Sequence, residues 1–423
     1  MADIDVYITD QIAGRLTNTD GKHVFSYHHN AVEALSLTMP LRTESYSFQA
    51  LHPIFQMNLP EGHLRQAIEQ ATAKQYGSDD LTLLAIIGSK QIGRLSYARA
   101  DKPLIETEGA IPDLKTLLGS DDTTLFDQLL TRFATSSGVA GVQPKILLDI
   151  KTKASLTLQS TIVKSWGNEY PELGCNEYAC LTLARHAGLQ VPETFLSDNG
   201  KLLISKRFDL NQQGDSLGFE DFCVLQGKGT KEKYDASLES CTHTLRQYVS
   251  PIYQQQALYD FFKLTLVNTL IRNGDAHLKN SGVIYSHLQQ YQQGENPQSE
   301  RQLAPIFDIV STVPYLPNDT MALTLTGSKR WPNWKVLEQF GKQHCALNSK
   351  KINQAVEEVE QAAIQTQPLL NDLVKQHPAF APIAETITNH CRRGFSLDRD
   401  KVKTRSRAIA AKAPPTKNHQ TKE

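Results

Sequence analysis

Apolar and polar positions alternate between residues 4 and 25, as in Val6-Tyr7-Ile8 and Gly14-Arg15-Leu16. This pattern predicts the opening of an antiparallel sheet, with Asn18-Thr19-Asp20-Gly21 as its hairpin turn. Asn58-Leu59-Pro60-Glu61-Gly62-His63 then punctuates the entry to a helix running through Leu64, Ile68 and Ala71, and residues 81–87 read as a second helix ended by Gly88. From Ile146 the pattern turns to strands, at residues 146–150 and 160–164. A helix over 176–187, closed by Gly188, and further strands at 202–205 and 222–224 follow. Beyond Leu258 the chain reads as mainly helical. Its first segment, 258–272, is apolar nearly all round through Phe261, Phe262, Leu264, Leu266, Val267, Leu270 and Ile271, which predicts a buried helix. A sheet-rich first half and a helix-rich second half describe a two-lobed α+β protein, with the weakly hydrophobic stretch 100–114 as the best boundary.

Composition narrows the picture. A chain of 423 residues exceeds a single ordinary domain. Its net charge of -1 gives no global pull toward nucleic acid or membrane. The cysteines, Cys175, Cys180, Cys223, Cys241, Cys345 and Cys391, show no CxxC pairing and no histidine at metal-ligand spacing, so they read as buried thiols of a reducing cytoplasm rather than a zinc site. The N-terminus has no leader pattern and no apolar run reaches membrane-spanning length, which predicts a cytoplasmic protein with no membrane association. The tail from Lys401 is rich in Lys and Arg without apolar periodicity and reads as a disordered extension; a weak phosphate-contacting arm is the alternative.

Candidate chemistry centres on Asn273-Gly274-Asp275-Ala276-His277-Leu278-Lys279-Asn280. The spacing of Asp275 and Asn280 reproduces the D-x-x-x-x-N of a protein-kinase catalytic loop, where the Asp accepts the proton of the attacking hydroxyl and the Asn binds magnesium. Lys279 lies between them, placed to neutralise charge on a transferred phosphoryl group, and His277 to orient Asp275 or contact phosphate. Taken alone, Asn273-Gly274-Asp275 is also the composition of an ordinary turn after a helix. Asp308 sits in the apolar run Leu303-Ala304-Pro305-Ile306-Phe307-Asp308-Ile309-Val310, where a carboxylate is costly unless it is paired or binds a cation. It matches a metal-binding kinase Asp, with an N-cap or an ion pair as the alternative. Lys164, at a strand end, is placed to reach phosphates, with Glu177 on the next helix as its partner, although strand-end lysines are usually solvent-exposed. The small residues of Ser136-Ser137-Gly138-Val139-Ala140-Gly141-Val142-Gln143-Pro144-Lys145 suit close approach of backbone N–H groups to phosphate, or an ordinary turn.

Together with Asn176-Glu177-Tyr178, Lys206-Arg207-Phe208-Asp209, Glu220-Asp221-Phe222-Cys223 and Asn58-Leu59-Pro60-Glu61-Gly62, these segments resemble, in order and content, the HipA family of bacterial toxin kinases, from the N-terminal strands to about residue 395. The resemblance implies a two-lobed kinase-like fold. Its divisions would be an N-terminal subdomain at 1–105, an N-lobe with Gly-rich loop and hinge at 130–255, an all-helical C-lobe at 256–395 and the basic tail at 400–423. It implies a serine/threonine protein kinase of a toxin-antitoxin module that uses ATP and magnesium (Mg2+). In that scheme Val139, Ala140, Gly141, Gln143, Lys145 and Lys164 contact phosphates, Glu220, Asp221 and Phe222 form the adenine-facing hinge, Asp275 is the base, and Asn280 and Asp308 hold the metal. It further implies an aminoacyl-tRNA synthetase as protein substrate, a HipB-like helix-turn-helix antitoxin, and operator DNA bound mainly through that antitoxin. One position departs from the family pattern: Gly138 stands where an autophosphorylated serine is common, leaving Ser136 and Ser137 as displaced candidates. A small-molecule phosphotransferase would share the same residues, and a catalytically silent ATP-binding co-repressor need not retain them all.

Overall fold

The computed structural model describes residues 3–395 apart from 63, 64, 67, 70–78, 89–90, 101, 104–111, 121, 123, 127, 130–144, 153–154 and 168. Near the N-terminus, β1 (Ile4–Ile8), β2 (Gln11–Thr19), β3 (Lys22–Tyr27), β4 (Tyr46–Phe48) and β5 (Leu95–Arg99) form an antiparallel sheet in the order β4-β3-β2-β1-β5. The β2–β3 hairpin turns at Asp20-Gly21, where the sequence places it. Alternation fixes which face is buried: Ile4, Val6, Leu16 and Phe25 point into a core closed by α1 (Pro53–Gln56) and α2 (Asp80–Ile87). Helix α2 starts at Asp79, whose carboxylate accepts the Thr82 N–H at 3.1 Å. The expected boundary near residue 105 and the tail from 400 lie outside the described residues.

A second antiparallel sheet contains β6 (Lys145–Thr152), β7 (Ser155–Lys164), β8 (Thr194–Leu196) and β9 (Leu203–Lys206), ordered β6-β7-β9-β8. With α3 (Leu114–Leu118) it encloses a small core of Leu117, Ile146, Leu148, Ile150, Val163 and Ile204. Its register sets Lys145 directly opposite Lys164. Helix α4 (Leu173–His186) follows β7 and packs on the C-terminal region.

Next comes β10 (Gly218–Asp221), then α5 (Phe222–Leu225), α6 (Leu238–Tyr248) and α7 (Pro251–Ile271). The expected strand at 222–224 is instead a helical turn, because the Asp221 carboxylate accepts the Val224 N–H at 2.9 Å and caps it. The expected all-helical C-lobe contains β11 (Gly282–Tyr285) and β12 (Arg301–Leu303), which join β10 in a three-stranded antiparallel sheet ordered β10-β11-β12. Around them stand α8 (Trp334–Gln343), α9 (Ser349–Gln376) and α10 (Ala381–Arg393). Helix α7 is buried from Ala257 onward, its Phe262, Leu266, Val267 and Ile271 packing in one core with Phe340, Val356 and Val359. Phe219, Val224 and Ala304 belong to the core of the first sheet, so the N-terminal unit is fused to the region around β10. Among the described residues no helix is long and apolar enough to cross a membrane.

Candidate active site

Helix α7 ends where Arg272 takes the left-handed conformation, φ 60°, and the chain turns through Asn273. That turn is tightly specified. Asn273 accepts the Asp275 N–H on its side-chain oxygen at 3.1 Å, and Thr312 Oγ1 accepts the Gly274 N–H at 2.9 Å. A Cβ on residue 274 would sit 1.9 Å from Asp319 Oδ2 and 2.7 Å from the Thr320 carbonyl, so only glycine fits. Beyond it, Asn280 Nδ2 donates to the Asp275 carbonyl at 2.9 Å and the His277 N–H donates to the same oxygen at 2.8 Å. Asp275 and Asn280 are thereby locked to each other just past a rigid buried helix. Tyr234 Oη donates to Asp275 Oδ1 at 2.7 Å, and the Tyr234 ring meets His277 edge-on at 5.1 Å.

Opposite this segment lies a buried charge cluster. Lys164 Nζ stands 2.5 Å from Glu177 Oε1 on α4 and 2.5 Å from Asp308 Oδ1, while Lys145 Nζ is 4.0 Å from Asp308 Oδ2. Lys145 and Lys164 are cross-strand neighbours whose repulsion these two carboxylates offset. Burial opposes the charge on Asp308, but Lys164 and Lys145 outweigh it and hold the carboxyl well below its ordinary range. Burial likewise works against the Lys164 ammonium, and Asp308 and Glu177 raise it above its ordinary value. Asp308 lies outside the strand its apolar surroundings suggest: β12 ends at Leu303, and Asp308 itself is left-handed, φ 60°. The sparsely populated backbone conformation aims its carboxylate at the two lysines.

These groups line one cleft of about 1110 Å3 between the second sheet and the C-terminal helices, including Lys145, Lys164, Asp275, His277, Asn280 and Asp308. The Asn280 amide oxygen and the Asp308 carboxylate are hard oxygen donors of the type magnesium takes, and a cluster with two lysines beside them suits a phosphate-bearing ligand. His277 is neutral at ordinary pH: burial, then the Lys233 charge, lower its pKa to about 3, and among the described residues its Nδ1 has no hydrogen-bond partner. Burial raises the Asp275 carboxyl, partly offset by Tyr234.

Other predicted residues sit differently. Lys279 is directed at Glu61 of the N-terminal unit, forming an ion pair that Lys233 joins at 3.5 Å. Of the three hinge candidates, Asp221 lines the cleft, whereas Phe222 lies in the C-terminal core and Glu220 turns toward the N-terminal unit, bonded to Ser36, the Leu37 N–H and Tyr285. Ser136, Ser137, Val139, Ala140, Gly141 and Gln143 lie outside the described residues. Sequence reasoning missed Tyr234, Lys233 and Glu61 as members of this site. They reach it from other segments, and no local spacing marks them.

The family model described as the HipA-like C-terminal domain matches residues 137–367, and that of the HipA N-terminal domain matches residues 4–98. The chain belongs to the HipA family. Two relatives from Sinorhizobium fredii are "Putative kinase Y4dM", 27% identical and covering 92% of this chain and 96% of that protein, and "Putative kinase Y4mE", 28% identical over 74% and 78%. Among solved structures, HipA from the Shewanella oneidensis MR-1 toxin-antitoxin complex of HipA, HipB and operator DNA superposes with a TM-score of 0.68 over 93% of this chain and 97% of that one, at 19% identity. At that identity the likeness shows a shared fold.

Proposed function

We propose that this HipA-family chain is an ATP-dependent serine/threonine protein kinase that acts in the cytoplasm as the toxin of a toxin-antitoxin module. The observation that carries the reading is the convergence of Asp275, Asn280, Asp308 and the Lys164–Glu177 pair on one cleft. Lys164 holds the phosphates of ATP. Asn280 and Asp308 hold magnesium, which when bound neutralises charge on the phosphates. Asp275 orients the acceptor hydroxyl and takes its proton as the oxygen bonds to the γ-phosphorus and ADP leaves. His277, neutral and with Nδ1 unpartnered among the described residues, serves as a hydrogen-bonding rather than a charged contact. Names of relatives as kinases support the reaction class. The HipA–HipB–operator assembly of the structural neighbour supports a HipB-like antitoxin as partner, with DNA reached mainly through it. An aminoacyl-tRNA synthetase as the phosphorylated protein rests on the family resemblance.

The test is phosphate incorporation into lysate proteins from labelled ATP. The wild-type chain labels a discrete protein on serine or threonine, and Asp275→Asn, which removes one charge with little change in volume, abolishes labelling while unfolding at an unchanged temperature. Equal labelling by both proteins sinks the mechanism. Labelling confined to small molecules points to a small-molecule phosphotransferase, and ATP binding without transfer to a silent co-repressor.

A further inference from the structure

Away from the cleft, the fold brings together three metal-ligating side chains that the sequence keeps far apart. Glu172 and Cys175 lie at the start of α4, and His377 follows the end of α9. One ligand atom from each lies within 4.8 Å of the other two, and Cys175 Sγ is 3.6 Å from Glu172 Oε2. In a tetrahedral zinc site, with bonds of ~2.3 Å to sulfur and ~2.0–2.1 Å to nitrogen and oxygen, the ligand atoms stand roughly 3.3–3.7 Å apart. The thiol–carboxylate separation already fits, and the imidazole nitrogen lies within 4.8 Å of both other ligand atoms.

Two further observations set this cluster apart from a chance meeting. Cys175 is completely buried, and it is His377, two hundred residues further along the chain, that the fold brings against it. Gly200, in the turn before β9, leaves the space between them open: a Cβ there would lie 3.0 Å from His377 Nδ1 and 3.4 Å from Cys175 Sγ. Sulfur, imidazole nitrogen and carboxylate oxygen together form the donor set of a borderline-soft cation, and three protein ligands leave a fourth position for water.

We propose that Glu172, Cys175 and His377 form a binding site for a thiophilic divalent cation of the zinc class, which fastens the first turn of α4 to the end of α9. On binding, the Cys175 S–H bond breaks, an Sγ–metal bond forms and the proton passes to solvent. The fastened turn lies two residues before Glu177, so the ion steadies the helix that holds Lys164.

The experiment uses the full chain after chelator treatment, titrated with Co2+ alone and followed by absorption, with Zn2+ as competitor. Expected are one equivalent bound, a near-ultraviolet thiolate-to-cobalt charge-transfer band that Zn2+ abolishes, loss of that band in Cys175→Ser, and at least tenfold weaker binding in His377→Ala. Metal-free variants and wild type unfold at the same temperature if the substitutions leave the fold intact; a variant that does not fold is replaced by Glu172→Gln, expected to weaken binding similarly. Absence of the band in the wild-type chain, or its persistence in Cys175→Ser, overturns the proposal. The readout does not depend on phosphate transfer, so it stands or falls separately from the kinase reading.

Discussion

At the scale of the residue, the hydroxyl of Tyr234 donates to the Asp275 carboxylate, reaching it from 41 residues earlier in the chain. The backbone carbonyl of the preceding Lys233 accepts the Leu278 N–H at 3.1 Å, so this short segment braces the 273–280 turn at two points. A hydrogen bond to a charged group is worth about 1.5–3 kcal/mol, and the part used to orient the base appears in turnover. Tyr234→Phe keeps the ring against His277 and removes only the donor. Steady-state kinetics should show kcat lowered on the order of tenfold, about 1.4 kcal/mol, with KM for ATP unchanged. An unchanged kcat would mean that the bond positions nothing. Asp275, Asn280, Asp308 and Lys164 were legible in the sequence because a short motif or an apolar neighbourhood marks each one. Tyr234, Lys233 and Glu61 were not, since only the folded chain sets them beside that motif. The same holds for Cys175 and His377, whose separation hid any ligand pattern.

Elements were legible where a period ran long enough to decide them. The hairpin at Asp20-Gly21, the helix after β7 and the buried α7 follow from alternation and from an unbroken apolar run. Residues 222–224 misled because Phe222-Cys223-Val224 is too short to show a period, and the deciding signal was the capping carboxylate of Asp221 just before it. That carboxylate also carries a pH dependence. Burial raises its pKa to about 6, against the opposing pull of Lys279 and the helix N–H groups, whereas in an unfolded chain it titrates near ~3.9. Between those values the folded protein holds the proton and the unfolded chain does not. Stability contributed by this group therefore falls as pH rises from about 4 to about 6 and stays low above, by up to ~3 kcal/mol. Asn is an equally good N-cap and does not titrate. In urea unfolding at a series of pH values, Asp221→Asn should gain on the wild type steadily across that window and hold its advantage at neutral pH. A difference between the two proteins that is flat with pH would refute the assignment.

For the whole molecule, the N-terminal sheet unit is joined closely to the frame that carries the cleft. Several polar ties cross between them, among them the Gly93 N–H donating to Asp209 Oδ2 at 2.6 Å, the Thr230 N–H to Gln56 Oε1 at 3.0 Å and the Leu288 N–H to Glu33 Oε1 at 2.8 Å. Glu61 receives Lys279 from the catalytic segment and Lys233 from the brace, and Glu220 on β10 accepts from Ser36 Oγ at 2.7 Å, the Leu37 N–H at 2.7 Å and Tyr285 Oη at 2.5 Å. The apolar side chains of Phe219, Val224 and Ala304 complete the seam. Glu220 is fully buried, and burial raises its carboxyl pKa even though three donors oppose that. Removing it strands those donors in a dry seam, at about 1–3 kcal/mol for each group left without a partner. The wild-type chain should accordingly unfold in one calorimetric transition, with the calorimetric and van't Hoff enthalpies equal. In Glu220→Ala the N-terminal unit loses a fully buried polar tie to Ser36 and Leu37, and its melting should separate as a distinct earlier transition, several degrees below that of the helical region. Because the Glu61–Lys279 contact then loosens in the same step, phosphate transfer should decline over the first transition rather than the second. A single undivided transition in the variant, or activity that survives until the helices melt, would show that the N-terminal unit is a passenger on the catalytic frame rather than a part of it.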